Sequence, residues 1–370
     1  MTRRDFANRL AWAAAGVNVW SEAALAQRAL VRADMPGDTV WLNANENPEG
    51  PGQAALEAMR EVMPRSWRYH YQEFGEFYAT VSRSEGFGRE HVVVGAGSSE
   101  VLSIAVGVFT SPSRPLIAAV PTFELPEGVA RSLEHPVVRI PLADGYTSDV
   151  KRMAAEAEKA GGGLIYLCNP NNPTSTITGK GDLAWLVSNL PANTVLLVDE
   201  AYLHFSESPE LETGLRYVRE GKDVVVARTF SKIYGMAGLR IGFSLSKPEL
   251  TRQMEPFRNS VISIVSARAA KAALAEAATL IPQRRTKLAK IRASLCAWLR
   301  ERNLNYLEPH ANFVMVDLGR EVTSVLPKMY RRGVAPGRPF PPLTNMMRVT
   351  IGTEAEMEKF KKTFAEVMSV

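Results

Sequence analysis

Two uninterrupted apolar runs, Leu164-Ile-Tyr-Leu-Cys168 and Thr194-Val-Leu-Leu-Val198, constrain the fold of this chain more than any other feature. A strand with one wet face alternates apolar and polar residues. A run without a polar break suits a strand covered on both faces, as in a parallel sheet between helical layers. A helical segment separates the two runs, as a crossover between parallel strands requires. Val92–Val94, Leu116–Val120 and Val224–Val226 repeat the pattern. Ligands of such sheets collect beyond the carboxyl ends of the strands. Gly97, Phe123, Asn172, Asp199 and Lys232 each fall just past the end of a run. The expected fold is therefore α/β, with a mostly parallel sheet covered by helices on both faces.

A chain of 370 residues has room for a large and a small domain, each with its own core. From about Leu280 the pattern changes. A long amphipathic helix (Leu288, Ile291, Leu295, Trp298, Leu299) precedes a strand over Asn312–Asp317. A helix near Val322–Arg332, a strand over Met347–Ile351 and a last helix follow. That last helix opens with Thr353-x-x-Glu356, a capping box. The alanine-rich run from Ser266 to Ala278 also reads as helix. We expect an N-terminal arm over 27–60 that completes a small domain, a large domain over 61–280, and the small domain over 281–370.

Apolar residues make up 46% of the chain and charged ones 22%, a composition of soluble globular proteins. The net charge of +5 is scattered. The densest basic run, Arg284 to Arg292, alternates with Leu288 and Ile291 at helical spacing. It reads as the wet face of a helix and not as a nucleic-acid patch. Cys168 and Cys296 make no disulfide framework. The histidines show no metal-ligand spacing, and no apolar run is long enough to span a bilayer. The N-terminus has Arg3-Arg4, an apolar stretch from Leu10 to Trp20, and Ala24-Leu-Ala26. Charged start, apolar middle and small-x-small site predict a twin-arginine export signal over 1–26 and a periplasmic location. A retained N-terminal helix on a cytoplasmic protein is the alternative.

The chemistry concentrates in Thr229-Phe-Ser-Lys-Ile-Tyr-Gly-Met-Ala-Gly-Leu-Arg240, which offers hydroxyls, a lysine, glycines and an arginine within twelve positions. An amine beside a guanidinium suits a cofactor that carries both an aldehyde and a phosphate. Read alone, the stretch also fits a strand, a glycine turn and two solvated cations. Val92-Val-Val-Gly-Ala-Gly97-Ser-Ser99 reads as strand, turn and helix start, an arrangement that points backbone N–H groups at an anion. It is not a dinucleotide fingerprint, because the third glycine would fall at Glu100.

Asn169-Pro-Asn-Asn-Pro-Thr174, Asp199-Glu-Ala-Tyr202 and the Lys232 stretch, in this order and spacing, resemble the fold type I pyridoxal-phosphate-dependent aminotransferases. Val40-Trp-Leu-Asn-Ala-Asn45-Glu-Asn-Pro48 adds to the likeness, which is strongest to the histidinol-phosphate aminotransferases and runs from about Val40 to the C-terminus. The resemblance implies pyridoxal 5'-phosphate held by Lys232 as a Schiff base. It implies Asp199 at the ring nitrogen, Asn172 and Tyr202 at the phenolic oxygen, and Phe123 stacked on the ring. Gly97, Ser98, Ser99, Ser231 and Arg240 would hold the phosphate, with Thr229 in support. Tyr69 would reach the cofactor phosphate of a neighbouring subunit, which makes a homodimer the expected state. Arg348 would take the substrate carboxylate, with Arg338, Asn45 and Asn312 also at the substrate end. The partners implied are an amino acid, or a histidinol-phosphate-like amine, and a 2-oxo acid. Ser175 stands where the family has glycine, which alters the turn beneath the cofactor. Amino-acid decarboxylases and β-lyases share this scaffold, and a non-catalytic binding protein is a more distant alternative.

Overall fold

The computed structural model describes residues 35–258 and 261–369. The segment expected to direct export, 1–26, lies outside the described residues, as does the start of the arm. The described chain opens with a short strand, β1 (Val40–Leu42).

The central sheet has seven strands: β2 (Val92–Gly95), β3 (Leu116–Val120), β4 (Val137–Pro141), β5 (Gly163–Cys168), β6 (Thr194–Asp199), β7 (Val224–Thr229) and β8 (Gly242–Ser246). Their order across the sheet is β2-β8-β7-β6-β5-β3-β4. All neighbours pair parallel except β8, which is antiparallel to both β7 and β2. The apolar runs occupy its middle. Period-two alternation divides each strand between two cores. Tyr166, Cys168, Leu197, Val225 and Ala227 face one core, which is shared with the helices Ser98–Phe109 and Leu125–Ser132. Ile165, Leu167, Leu196, Val198 and Val226 face the other, against Val150–Lys159 and Lys180–Ser188. Each of these fully buried aliphatic side chains contributes about 1.5–3 kcal/mol by leaving water.

Beyond the sheet, two helices cover the expected alanine-rich stretch. Ile264–Ala275 ends at Glu276, and Ala277–Glu301 then continues into the C-terminal part. There β9 (Phe313–Asp317) pairs antiparallel with β11 (Met346–Thr350), while β10 (Val334–Pro336) pairs parallel with β1. The N-terminal arm is thus hydrogen-bonded into the C-terminal layer. The last helix, Glu354–Met368, carries the expected capping box, with Thr353 and Glu356 bonding reciprocally. Among the described residues no helix is long and apolar enough to cross a membrane.

One expectation is overturned. Arg284 and Arg292 are buried, not the wet face of their helix. Arg284 donates to the carbonyls of Ile233 (2.8 Å) and Gly50 (2.7 Å). Arg292 donates to that of Ala311 (2.8 Å). Both share the four-residue spacing of Leu288 and Cys296, which puts them on the inward stripe. Their donors satisfy carbonyls of loops and strand ends, that of Ile233 together with Asn47 Nδ2.

Candidate active site

The parallel strands end on one edge of the sheet, and their C-terminal residues surround a cavity of about 420 Å³. Asp199 closes β6, Cys168 closes β5, Thr229 closes β7, and the Gly97 turn follows β2. Of the residues expected at a site, Ser98, Ser99, Phe123, Asp199, Tyr202, Thr229, Ser231, Lys232 and Arg240 line this one space.

One end is built for an anion. Arg240 donates to Ser231 Oγ (3.3 Å) and Ser99 Oγ (3.5 Å), and Thr229 Oγ1 donates to Ser231 Oγ (2.9 Å). Burial lowers the pKa of the guanidinium, so an anionic partner is favoured there. Gly97 (φ 81°) precedes the helix Ser98–Phe109, whose first N–H groups lack intrahelical partners. A Cβ at position 97 would collide with Arg240 Nη2 and would fill the cradle. Four hydroxyls, a guanidinium and a helix start thus fit a phosphate dianion.

Asp199 forms another wall and is 2% exposed. Its Oδ2 accepts from the Tyr166 hydroxyl (2.9 Å) and its Oδ1 from the Ala201 N–H (3.2 Å). Burial pushes its pKa up to about 6, against the pull of both hydrogen bonds and of Lys232. Lys232 Nζ donates to the carbonyls of Ala44 and Asn45, each at 3.1 Å, and stands 5.4 Å from the centre of the Tyr202 ring. Asn45 holds a left-handed backbone (φ 54°) and donates from Nδ2 to Tyr202 Oη (3.1 Å). Asn312 Nδ2 in turn donates to the Asn45 carbonyl (3.0 Å). The arm therefore positions both the amine and the phenol.

Other expected residues stand outside the cavity lining. Asn172 accepts from Arg348 Nη1 (2.8 Å), and Arg348 also donates to the Asn43 carbonyl. Arg348 is fully buried behind Asn172 instead of opening directly onto the cavity. Arg338 pairs with Glu124, and both guanidiniums lie against Phe340, at 4.2 Å for Arg338 and 4.6 Å for Arg348. Tyr69 is 68% exposed, stacks on Tyr71 and lies away from the cavity of its own chain. Ser175 adopts the left-handed conformation (φ 64°) that its family glycine would adopt without strain. Its hydroxyl accepts from the N–H groups of His310 (3.1 Å) and Ala311 (2.8 Å), which ties the turn to the C-terminal layer.

Sequence reasoning missed Tyr166, Glu46 and Cys168 as neighbours of the site. For Tyr166 a signal existed. It is the one residue with a polar tip inside the β5 run and, two residues before Cys168, shares its face of the strand. It also missed a buried ion network behind the strand ends. Arg228 pairs with Glu200 (2.9 Å) and Glu85 (2.7 Å), while Thr213 and the Gly214 N–H also donate to Glu200.

The family described as aminotransferase class I and II matches residues 37–364. The chain belongs to that family. The aminotransferase is 34% identical to a histidinol-phosphate aminotransferase of Symbiobacterium thermophilum, over 87% of this chain and 89% of that protein. It is 31% identical to one from Moorella thermoacetica, over 90% and 86% respectively. A solved histidinol-phosphate aminotransferase of Sinorhizobium meliloti in complex with pyridoxal-5'-phosphate superposes with a TM-score of 0.83 at 26% identity, covering 90% of this chain and 91% of that one. The enzyme is a pyridoxal-phosphate-dependent transaminase of the α/β fold described above. Its cavity fits that cofactor, with an amine, a carboxylate and a phosphate cradle opening into one space.

Proposed function

We propose that Lys232 carries the cofactor and that the amino group moves between an amino acid, or a histidinol-phosphate-like amine, and a 2-oxo acid. One observation carries this reading: Lys232, Asp199 and the Arg240–Ser231–Ser99 cluster converge on a single cavity. When bound, pyridoxal phosphate supplies an aldehyde that exchanges amines and a ring that accepts electrons. The chain supplies position and proton traffic. Lys232 Nζ, oriented by the Ala44 and Asn45 carbonyls, takes the substrate's α-proton and returns it, which requires the neutral amine. Asp199 would hold a negative charge opposite the ring nitrogen. Asn172 and Tyr202 would hold the phenolic oxygen, Phe123 would cover the ring, and Gly97, Ser98, Ser99, Thr229, Ser231 and Arg240 would bind the phosphate.

At the substrate end, Arg348 behind Asn172 would offer a planar fork for a carboxylate. Arg338, Asn45 and Asn312 frame the same end. The names of the relatives support a phosphate-bearing amine among the donors to be tried. Tyr69, exposed on a single chain beside Trp67 and Tyr71, suits a homodimer in which it reaches the partner's phosphate. We also infer from residues 1–26 that the folded enzyme is exported to the periplasm, with the cytoplasm as the alternative. N-terminal sequencing of the protein from each fraction decides between them.

The test of function is a panel of amino donors against 2-oxo acids, read by product formation and by the absorbance of the bound cofactor. Transfer should occur with wild type. With Lys232→Ala, borohydride should fix no cofactor to the chain and turnover should vanish. Normal transfer by that variant would place the reactive amine elsewhere, and stoichiometric CO2 release without transfer would replace transamination by decarboxylation.

A further inference from the structure

We propose that Tyr166 is a positioning residue that keeps the proton shared between Asp199 and the cofactor on the ring nitrogen. The inference rests on the assignment of Asp199 to that nitrogen. Tyr166 sits on β5, and the register sets Cys168 beside Asp199 and Tyr166 beside Leu197, all on one face of the sheet. From two residues back, its ring reaches forward so that the hydroxyl meets Asp199 Oδ2 at 2.9 Å. Tyr166 is 1% exposed and does not line the cavity, so it acts only through Asp199.

Each carboxylate oxygen of Asp199 thereby has one fixed donor, the hydroxyl on Oδ2 and the Ala201 N–H on Oδ1. The two bonds pin the plane of the carboxylate, and lone pairs remain for a cation in the cavity. A proton between a carboxylate and a pyridine has two resting places. On the nitrogen it makes an ion pair, and on the oxygen a neutral pair. Donors to the carboxylate stabilise its charged form and thus favour the ion pair. Burial alone favours the neutral one. In a β-run otherwise free of polar tips, a tyrosine hydroxyl is the group that tips this balance.

The titratable groups around Asp199 are few. They are Tyr166 and Cys168 from β5, Lys232 from the loop after β7, and Glu200 next in sequence. Glu200 is bonded to Arg228, Thr213 and Gly214 on the other side. Burial and the neighbouring carboxylate hold the Tyr166 phenol well above its ordinary pKa, so it remains a donor throughout the working range.

The test uses the holoenzyme loaded with cofactor labelled with 15N at the ring, with the nitrogen resonance reporting where the proton rests. In Tyr166→Phe the proton partition should shift about tenfold toward Asp199, the loss expected for one hydrogen bond to a charged group. The rate constant kcat should fall about tenfold by the same reasoning, with KM changed less than about twofold. Replacing Tyr166 by 3-fluorotyrosine, a stronger donor of nearly the same shape, should hold the proton on nitrogen, and it serves as the test if the phenylalanine variant does not fold. Asp199→Asn, measured in parallel, should abolish nitrogen protonation. If Asp199→Asn moves the resonance while Tyr166→Phe leaves it in place, Tyr166 only fills space and the proposal is overturned. If neither moves it, the assignment of Asp199 itself fails.

Discussion

Burying Asp199 has a cost that is measurable in the cofactor-free protein. Its pKa is raised from 3.8 to about 6 by burial. The folded state thus holds a proton that the unfolded state has lost between those two values. Stability conferred by that proton is present below about pH 4 and is lost as pH rises through 6. Roughly two pH units at 1.36 kcal/mol each give about 3 kcal/mol. Asp199→Asn has nearly the same shape and does not titrate. Without cofactor, the variant should match wild type near pH 4 and be more stable by up to about 3 kcal/mol at pH 7. For a chain of this size, that is on the order of 5 °C in Tm. The assay is thermal unfolding of both proteins across pH 4 to 8, and the difference between them cancels every other carboxylate. Parallel curves over the whole range would refute the reasoning, because Asp199 would then ionise in the folded protein as easily as in water. With cofactor bound the order should reverse at neutral pH, since the ring nitrogen offers the carboxylate a cation.

Arg228→Met removes the cation from between Glu200 and Glu85. Glu200 keeps its Thr213 and Gly214 donors, so the loss should sit near about 3 kcal/mol in denaturant unfolding, at the lower end for a broken buried pair. Ser175→Gly should relieve roughly 1 kcal/mol of backbone strain but leave the Ala311 N–H without its acceptor, while the His310 N–H keeps the carbonyl of residue 175, for a small net loss. Ser175→Ala keeps the strain and loses the acceptor, so it should be the less stable of the two by chemical denaturation. Mixed dimers of Lys232→Ala and Tyr69→Ala subunits should recover activity that neither parent shows, because one hybrid site is intact. A mixture as inactive as its parents would remove Tyr69 from the partner site.

Much of the site was legible because its residues follow strand ends. An apolar run stops where the chain leaves the covered sheet, and Gly97, Asp199, Thr229 and Lys232 mark those stops. The capping box at Thr353 and the strand that carries Arg348 were readable for similarly local reasons. Tyr166 was hidden because an aromatic residue inside a buried strand satisfies every packing rule, and only the facing carboxylate reveals its use. Arg284 and Arg292 misled because charge outweighs spacing in a sequence, whereas their carbonyl partners come from loops far along the chain. Arg348 was identified by its strand, but its burial behind Asn172 depends on how two distant layers meet.

The arm that bears Ala44 and Asn45 leaves the ribosome early, yet its partner β10 lies almost three hundred residues later. Before Val334–Pro336 has been synthesised, the carbonyls that orient Lys232 have the Asn45–Tyr202 bond but not the strand pairing that fixes the arm ahead of them. A chain that ends before β10 would therefore hold the lysine in a looser seat.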